Sequence, residues 1–558
     1  MKLTHWLLGG VAVIVLALGG AWLNRGTILA MVAHSRLPHV APNHPVTWAM
    51  GPEALPQGER PPNVIFILAD DLGFNDITFN GGGVANGTVP TPNIDSIGKQ
   101  GVNFAAGYAG NATCAPSRAS IMTGRYATRF GYEFTPAPIG FERMVGTESE
   151  PGAPVKPKFF KDRIKQMPPG SAETSSAAVN ILSVPTGEVT IAEVLKTRGY
   201  HTLHFGKWHL GGAKGSRPED QGFDESLGFI SGASMYLPEK DKGVVNSKQP
   251  WDAIDRFLWP NLPYQVQFNG SPMFAPKGYM TDYLADEAVK AIHANRNRPF
   301  LMYFAPNAIH TPLQAKKADY DALPQIKDHR LRVYGAMARN LDANVGRILQ
   351  ALKDEGLDQN TLVIFTSDNG GAGYIGLPDV NKPYRGFKST FFEGGIHAPF
   401  FMRWPGKIQP GSRFPYPVGH VDIFATAAAA HASVPTDRTI DGIDLLPFVE
   451  GKVAGRPHQT LFWRSGQYKV VMDGDWKLQS SEAQQKVWLF NLANDPTERQ
   501  ELSKAEPQRT QAMLAMLKAQ DATTAKPIWP SLLQGPVYVD APGGVKHKVG
   551  DEYILWDN

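Results

Sequence analysis

The chain has 558 residues, 42% of them hydrophobic and 19% charged, which fits a folded protein with a large core and excludes a disordered or fibrous chain. Lys plus Arg total 55 against 52 Asp plus Glu, a net charge of only +3, so no strongly basic stripe advertises nucleic acid as a partner. The single cysteine excludes an intrachain disulfide and any cysteine-based zinc site.

Residues 6–23 form an uncharged run behind Lys2. The run is at the short limit for crossing a bilayer, and a second apolar patch at 28–33 extends it beyond Arg25. Segment 1–36 therefore reads as a membrane anchor. A secretory signal peptide is the competing reading, with Gly19-Gly20-Ala21 as a small-x-small cleavage site. Either way the rest of the chain is expected outside the cytosol, tethered to an inner membrane or soluble after cleavage. Residues 37–61 are proline-rich and read as an extended spacer.

Short, almost continuous apolar runs follow at 64–69, 200–205, 300–305, 361–366 and 399–404. Such runs mark strands covered on both faces. Helical segments lie between them at about 190–198, 281–295 and 330–354. In the first, Thr190 and Glu193 are spaced as a capping box and Gly199 is a stop signal. Strands alternating with helices predict an α/β domain over 62–455, built on a large, mostly parallel mixed sheet sandwiched by helices. The proline-rich stretch 133–184 holds a basic run, Lys156, Lys158, Lys161, Arg163 and Lys165. It reads as a solvated surface loop, with a substrate-contacting lid as the alternative. Over 456–558 the texture changes to short strands near 460–463, 468–472, 476–479 and 487–490, with an Asp473-Gly474 turn. A helix at 507–519 opens on Pro507. This predicts a smaller C-terminal α+β domain on a short antiparallel sheet, followed by a tail.

In an open parallel sheet, ligands bind beyond the carboxyl ends of the strands. The residues at those ends are Asp70 and Asp71, then Lys207 and His209, then Asn307 and His310, then Asp368 and Asn369. Three carboxylates and an amide on one edge repel one another unless a cation sits between them. Hard oxygen donors suit Ca²⁺ or Mg²⁺ better than zinc. A zinc site from His201, His204 and His209 is the rival, weakened because positions three apart in a strand face opposite ways.

The segment Cys114-Ala115-Pro116-Ser117-Arg118, continuing to Thr123-Gly124-Arg125, carries the most information. Pro116 suits the first turn of a helix and Gly124 its end. Cys114 then lies at the helix N-terminus, where backbone N–H groups favour an anion. Physics alone leaves two readings, an activated thiolate or a structural residue at a helix start.

This segment resembles the signature of the sulfatases, formylglycine-dependent and arylsulfatase-like members of the alkaline phosphatase superfamily. The resemblance extends over about 61–520. It includes Ala69-Asp70-Asp71-Leu72-Gly73, Thr91-Pro92-Asn93-Ile94-Asp95, Gly206-Lys207-Trp208-His209-Leu210-Gly211, Gly222-Phe223-Asp224, Ser367-Asp368-Asn369-Gly370 and Glu393-Gly394-Gly395-Ile396. The run from Leu489 to Pro496 looks like the family's closing domain. The resemblance implies that Cys114 is a precursor, oxidised to formylglycine by a separate maturation enzyme. It implies one Ca²⁺ ion held by Asp70, Asp71, Asp368, Asn369 and residue 114. It assigns Arg118, Lys207, His209, His310 and Lys388 to sulfate binding and proton transfer. His397 departs from the pattern, since relatives often carry arginine there; this bears on substrate preference and touches none of the catalytic set.

The activity so implied is hydrolysis of a sulfate monoester by the geminal diol of the hydrated aldehyde. Arg118, Lys207, Lys388 and the cation would balance the sulfuryl oxygens. His310 would act as general acid, and His209 would take the proton of the second hydroxyl. A phosphonate monoester or phosphodiester hydrolase with the same nucleophile is the nearest alternative; an inactive tethered binding protein is another. Aryl, alkyl and sugar sulfates all remain open, because variable loops such as 133–184 and 231–275 build the outer pocket. Glycosylation sequons occur at Asn86, Asn111 and Asn269. A glycan at Asn111 would obstruct Cys114, which, with no possible disulfide, favours a bacterial periplasmic setting.

Overall fold

Nine strands form the main sheet of the computed structural model, which describes residues 38–55, 60–148, 153–171 and 180–558. The expected anchor at 1–36 lies outside the described residues. Among the described residues, no helix is long and apolar enough to cross a membrane.

From edge to edge the sheet runs Ser412–Gly419, Val102–Tyr108, Phe400–Arg403, Thr361–Ser367, Asn63–Ala69, Phe300–Ala305, His201–Lys207, Glu225–Phe229 and Gln267–Phe268. The run from Thr361–Ser367 through Glu225–Phe229 is parallel throughout. Phe400–Arg403 opposes both of its neighbours. The sheet is thus mixed and mostly parallel, as the apolar runs predict. The run at 399–404 does form a strand, but its reversed direction sends its carboxyl end away from the others. Four further strands, Val102–Tyr108, Glu225–Phe229, Gln267–Phe268 and Ser412–Gly419, lie outside the predicted runs. Their sequences are short or interrupted by Gly, Ser and Pro, and the prolines of Ser412–Gly419 sit where a sheet tolerates them, on the edge.

The continuous apolar runs have a direct cause. Side chains alternate across a strand, and here both faces are covered. Ile65, Ile67, Met302, Phe304, Val363 and Phe365 face one core with helices Met280–Ala294 and His329–Asp354. Val64, Phe66, Leu68, Leu301, Tyr303 and Ile364 face a second core with helices Cys114–Thr123, Ile191–Lys196 and Val421–Ala429. Each fully buried apolar side chain of this size contributes about 1.5–3 kcal/mol. The predicted capping box is present: Glu193 N–H donates to Thr190 Oγ1 at 3.2 Å and Thr190 N–H donates to Glu193 Oε2 at 2.7 Å.

Beyond the main sheet, Thr460–Ser465, Tyr468–Asp473, Trp476–Ser481 and Lys486–Asn491 form an antiparallel meander. Its alternation again splits two ways. Tyr468, Val470, Met472, Trp488 and Phe490 pack on Tyr108, Phe391, Phe392 and Ile396. Val471, Leu478 and Leu489 pack on Met513 and Leu517 of helix Pro507–Asp521.

Two irregular regions are more integrated than their composition suggests. In the proline-rich spacer, Trp48 is buried and donates Nε1–H to Glu287 at 2.9 Å. In the expected surface loop, Ile139–Thr147 is helical and Lys158–Phe159 pairs with Leu533–Tyr538, which in turn pairs with Tyr553–Asp557. Partners hundreds of residues away supply this order, which local composition does not reveal.

Candidate active site

Because four neighbouring strands run the same way, their carboxyl ends open on one edge. Register places Ala69 beside Ser367 and Gly206 beside Ala305. Asp70 and Asp71, Asp368 and Asn369, Lys207 and His209, and Asn307 and His310 therefore leave the sheet side by side. Successive residues in extended chain point to opposite faces. Asp71 escapes this with φ of 60°, a left-handed conformation, so that both carboxylates enter one site. His209 is also left-handed, with φ of 58°. Non-glycine residues so held concentrate at functional positions.

Helix Cys114–Thr123 supplies the other half, ending on Gly124 with φ of 67°. Cys114 Sγ lies 3.6 Å from Asp70 Oδ1 and 3.9 Å from Asp71 Oδ1. Lys388 Nζ donates to that sulfur at 3.0 Å and to both Asp71 oxygens at 2.7 and 3.0 Å. Lys207 Nζ donates to both Asp70 oxygens at 3.0 and 2.7 Å. One turn along the helix, Arg118 donates Nε–H to Asp368 Oδ2 at 3.0 Å and Nη1–H to the Lys207 carbonyl at 3.0 Å. Three cations thus face three carboxylates, all buried or nearly so.

One donor atom from each of Asp70, Asp71, Cys114 and His310 lies within 4.8 Å of every other. Asn369 donates its amide to Asp71 Oδ1 at 2.8 Å, while its own Oδ1 is buried with no hydrogen-bond partner. Asp368 Oδ1 accepts from Asp71 N–H at 3.2 Å. All ten expected site residues are gathered at this edge, although His209 shows no direct bond to the others; the charges of Lys207, Arg118 and Lys388 act on it across space.

Burial pushes the Cys114 thiol up to about 12, with the Asp368 carboxylate adding to the effect. A thiol so held favours the protonated form at neutral pH, which counts against the activated-thiolate reading of the unmodified side chain. Burial raises Asp70, opposed by Lys207. Asp71 is likewise penalised by burial, but Lys388 and His310 outweigh this and hold it well below the usual carboxylate range. Burial lowers His310 to about 4, against the pull of Asp71. His310 Nδ1 lies 2.6 Å from the Thr311 carbonyl. Since a carbonyl only accepts, Nδ1 carries the hydrogen and Nε2 is the atom free to exchange a proton. Burial, reinforced by Lys207, Arg118 and Lys388, keeps His209 neutral; its Nδ1 is buried without a partner.

The rival zinc set does not converge. His201 bonds Glu225 at 2.7 Å, and His204 bonds Ser226 Oγ at 2.9 Å inside an aromatic cage of Trp208, Phe223 and Tyr303. Asn111 is buried, so the folded chain offers no room for a glycan there. His397 bonds Glu393 at 2.8 Å and stacks on Tyr384 at 4.4 Å.

Sequence reasoning missed three tyrosines. Tyr374 donates to Asp71 Oδ2 at 3.1 Å. Tyr303 OH lies 3.3 Å from Arg118 Nη1. Tyr236 donates to the His310 carbonyl at 2.9 Å. Tyr303 sits inside an apolar strand, where an aromatic side chain reads as core, whereas Tyr374 lies in the glycine-rich stretch just after Asp368 and Asn369, and that closeness is the signal that could have marked it.

Comparison with known proteins agrees with this geometry. A family model described as Sulfatase matches residues 62–432. The N-acetylgalactosamine-6-sulfatase of Mus musculus is 31% identical over 428 residues, 75% of this chain and 72% of the relative. The uncharacterized sulfatase YdeN of Escherichia coli is 30% identical over 72% of this chain and 68% of the relative. The crystal structure of i-CgsB with k-i-k-neocarrahexaose has a TM-score of 0.68 at 30% identity, covering 84% of this chain and 95% of that one. A phosphonate monoester hydrolase shares the fold, with a TM-score of 0.54 at 20% identity. Family model, relatives and site geometry agree: this chain belongs to the sulfatase family and is an enzyme that hydrolyses sulfate esters.

Proposed function

We propose that the protein removes sulfate from a sulfated carbohydrate, outside the cytosol, using residue 114 after its conversion to formylglycine. The observation that carries this reading is the setting of Cys114: buried, bonded by Lys388, and next to Asp70 and Asp368, which pair with Lys207 and Arg118. These cations suit an anionic group, while burial disfavours ionisation of the unmodified thiol. The names of the relatives favour a sugar sulfate, since one is an N-acetylgalactosamine-6-sulfatase and another was solved with a neocarrahexaose.

Asp70, Asp71, Asp368 and Asn369, with residue 114, would hold a Ca²⁺ ion. The orphaned Asn369 Oδ1 and the converging hard oxygen donors fit such an ion. When bound, the ion supplies Lewis-acid charge at the sulfuryl oxygens, and the modification supplies a geminal diol as nucleophile. Lys207, Lys388 and Arg118 orient the sulfate and oppose the charge that builds on it. His310, its Nδ1–H held by Thr311, would act as the acid in its doubly protonated form, giving the Nε2 proton to the departing oxygen and returning to the neutral ring. His209, neutral and with a free Nδ1, accepts the proton that allows sulfate to leave.

Export, with the 6–23 segment as anchor or signal peptide, is supported by that apolar run. Matured enzyme assayed on paired sulfate and phosphonate esters, and on sulfated sugars against aryl sulfates, tests the activity. Faster turnover of phosphonates overturns it. Fractionation of the producing cell, with the protein found in the cytosol, overturns the location.

A further inference from the structure

The loop that delivers Lys388 to the sulfur is held at both ends by the C-terminal part of the chain. On one side Arg385 donates Nη1–H to the Glu498 carbonyl at 2.6 Å and pairs with Asp540 at 2.7 Å. On the other, Phe391 N–H donates to Tyr468 OH at 3.1 Å and Glu393 N–H donates to Glu498 Oε2 at 2.6 Å. Lys477 joins these bonds into one unit, with Nζ 2.7 Å from Glu393 Oε1 and 3.0 Å from Glu498 Oε1. Gln479 donates to the same Glu498 oxygen at 3.0 Å. Lys477 and Glu498 are fully buried. Between the two anchors the chain turns through Ser389, whose φ is 73°, and Lys388 reaches Cys114 and Asp71.

Apolar packing of the same volume holds two layers together as well as a buried ion cluster does, and often better. Apolar packing, however, does not fix a loop in direction. Five directional bonds on the segment from Arg385 to Glu393 do, and misplacing a charged group by about 1 Å at a reacting centre can cost roughly 10²-fold in rate. We propose that Lys477, Glu498 and Tyr468 are positioning residues for Lys388, so that the C-terminal sheet is a working part of the active site. This rests on the reading of Lys388 as a sulfate-binding group.

A double-mutant cycle on the matured full-length enzyme tests it, with kcat and KM measured on an aryl sulfate and each variant's melting temperature recorded. Glu498→Gln and Tyr468→Phe keep shape while removing a charge or a hydroxyl. Each alone is expected to lower kcat/KM by about tenfold, within the range of coupled neighbours. In a Lys388→Ala background each should cost less than about twofold, because the group they position is gone. Lys469→Ala, in the same sheet but paired with Glu482 and Asp521, serves as control and should leave kcat/KM unchanged in both backgrounds. Losses that multiply in the Lys388→Ala background, or no loss in either single variant, overturn the proposal. Full activity of Lys388→Ala overturns the reading of Lys388 itself, and the proposal with it. If Glu498→Gln does not fold, Tyr468→Phe carries the cycle alone.

Discussion

Lys388 donates a hydrogen bond to the Cys114 sulfur across 3.0 Å although 274 residues separate the two in sequence. The same ammonium bonds both oxygens of Asp71. The proposed nucleophile position, metal-site carboxylate and sulfate-facing cation are thus joined in one contact.

Protein produced with a maturation enzyme should yield a Cys114 peptide about 18 Da lighter, from replacement of CH₂SH by CHO, a change on no rung of ordinary thiol oxidation. Peptide mass spectrometry of active enzyme decides this. Activity with only unmodified cysteine at 114 would exclude formylglycine.

Calcium should raise the melting temperature of the wild-type enzyme and a chelator should lower it, because a cation relieves repulsion among Asp70, Asp71 and Asp368. At 100 times its dissociation constant, a ligand specific for the folded state adds about 2.7 kcal/mol. Asp70→Asn should lose most of this response. Scanning calorimetry with and without Ca²⁺ reads the effect independently of turnover, and an unchanged melting temperature would argue against the ion.

His310→Ala should lose far more rate on an alkyl or sugar sulfate than on nitrophenyl sulfate. A stable leaving anion departs without a proton, so the acid matters in proportion to how poor the leaving group is, up to about 10²–10⁴-fold. Equal losses on both substrates would remove His310 from that role.

Gly232→Ala should impair turnover while leaving the fold intact. A Cβ there would stand 2.6 Å from His209 Nε2 and 2.8 Å from its Cε1, so the imidazole must move. A kcat loss of about tenfold or more, with an unchanged melting temperature, is expected from a displaced proton acceptor. Wild-type kcat would place the acceptor elsewhere.

Glu142 predicts the alkaline limb of stability. Burial pushes its carboxyl up from 4.5 to about 8, against the opposing bond from Asn558, and Oε2 has no partner. A raised folded-state value means that the folded chain keeps the proton. The stabilising contribution is complete below pH 4.5 and disappears as pH rises through about 8. The loss is on the order of 3–5 kcal/mol. Glu142→Gln should therefore raise the melting temperature at pH 9 relative to wild type and change it little at pH 5. A constant difference across that range would exclude the titration.

What lies within one strand or one helix turn was legible in the sequence. Apolar runs such as 64–69 declare strands buried on both faces because side chains alternate and both layers exclude water. Asp70, Asp71, Asp368 and Asn369 declare themselves because polar residues at strand ends have nowhere apolar to go. The helix at Cys114 follows from Pro116 and Gly124. Tertiary structure decided everything that depends on where distant segments meet. It set the direction of Phe400–Arg403, which hydrogen bonding to neighbours determines and side-chain pattern does not. It recruited Tyr303 and Tyr374, whose hydroxyls matter only because Arg118 and Asp71 arrive beside them. It tied the Lys388 loop to Lys477 and Glu498, a buried charge cluster that no local motif announces, since a charge reads as solvated until its partners, more than a hundred residues away for Glu393 and Glu498, close around it.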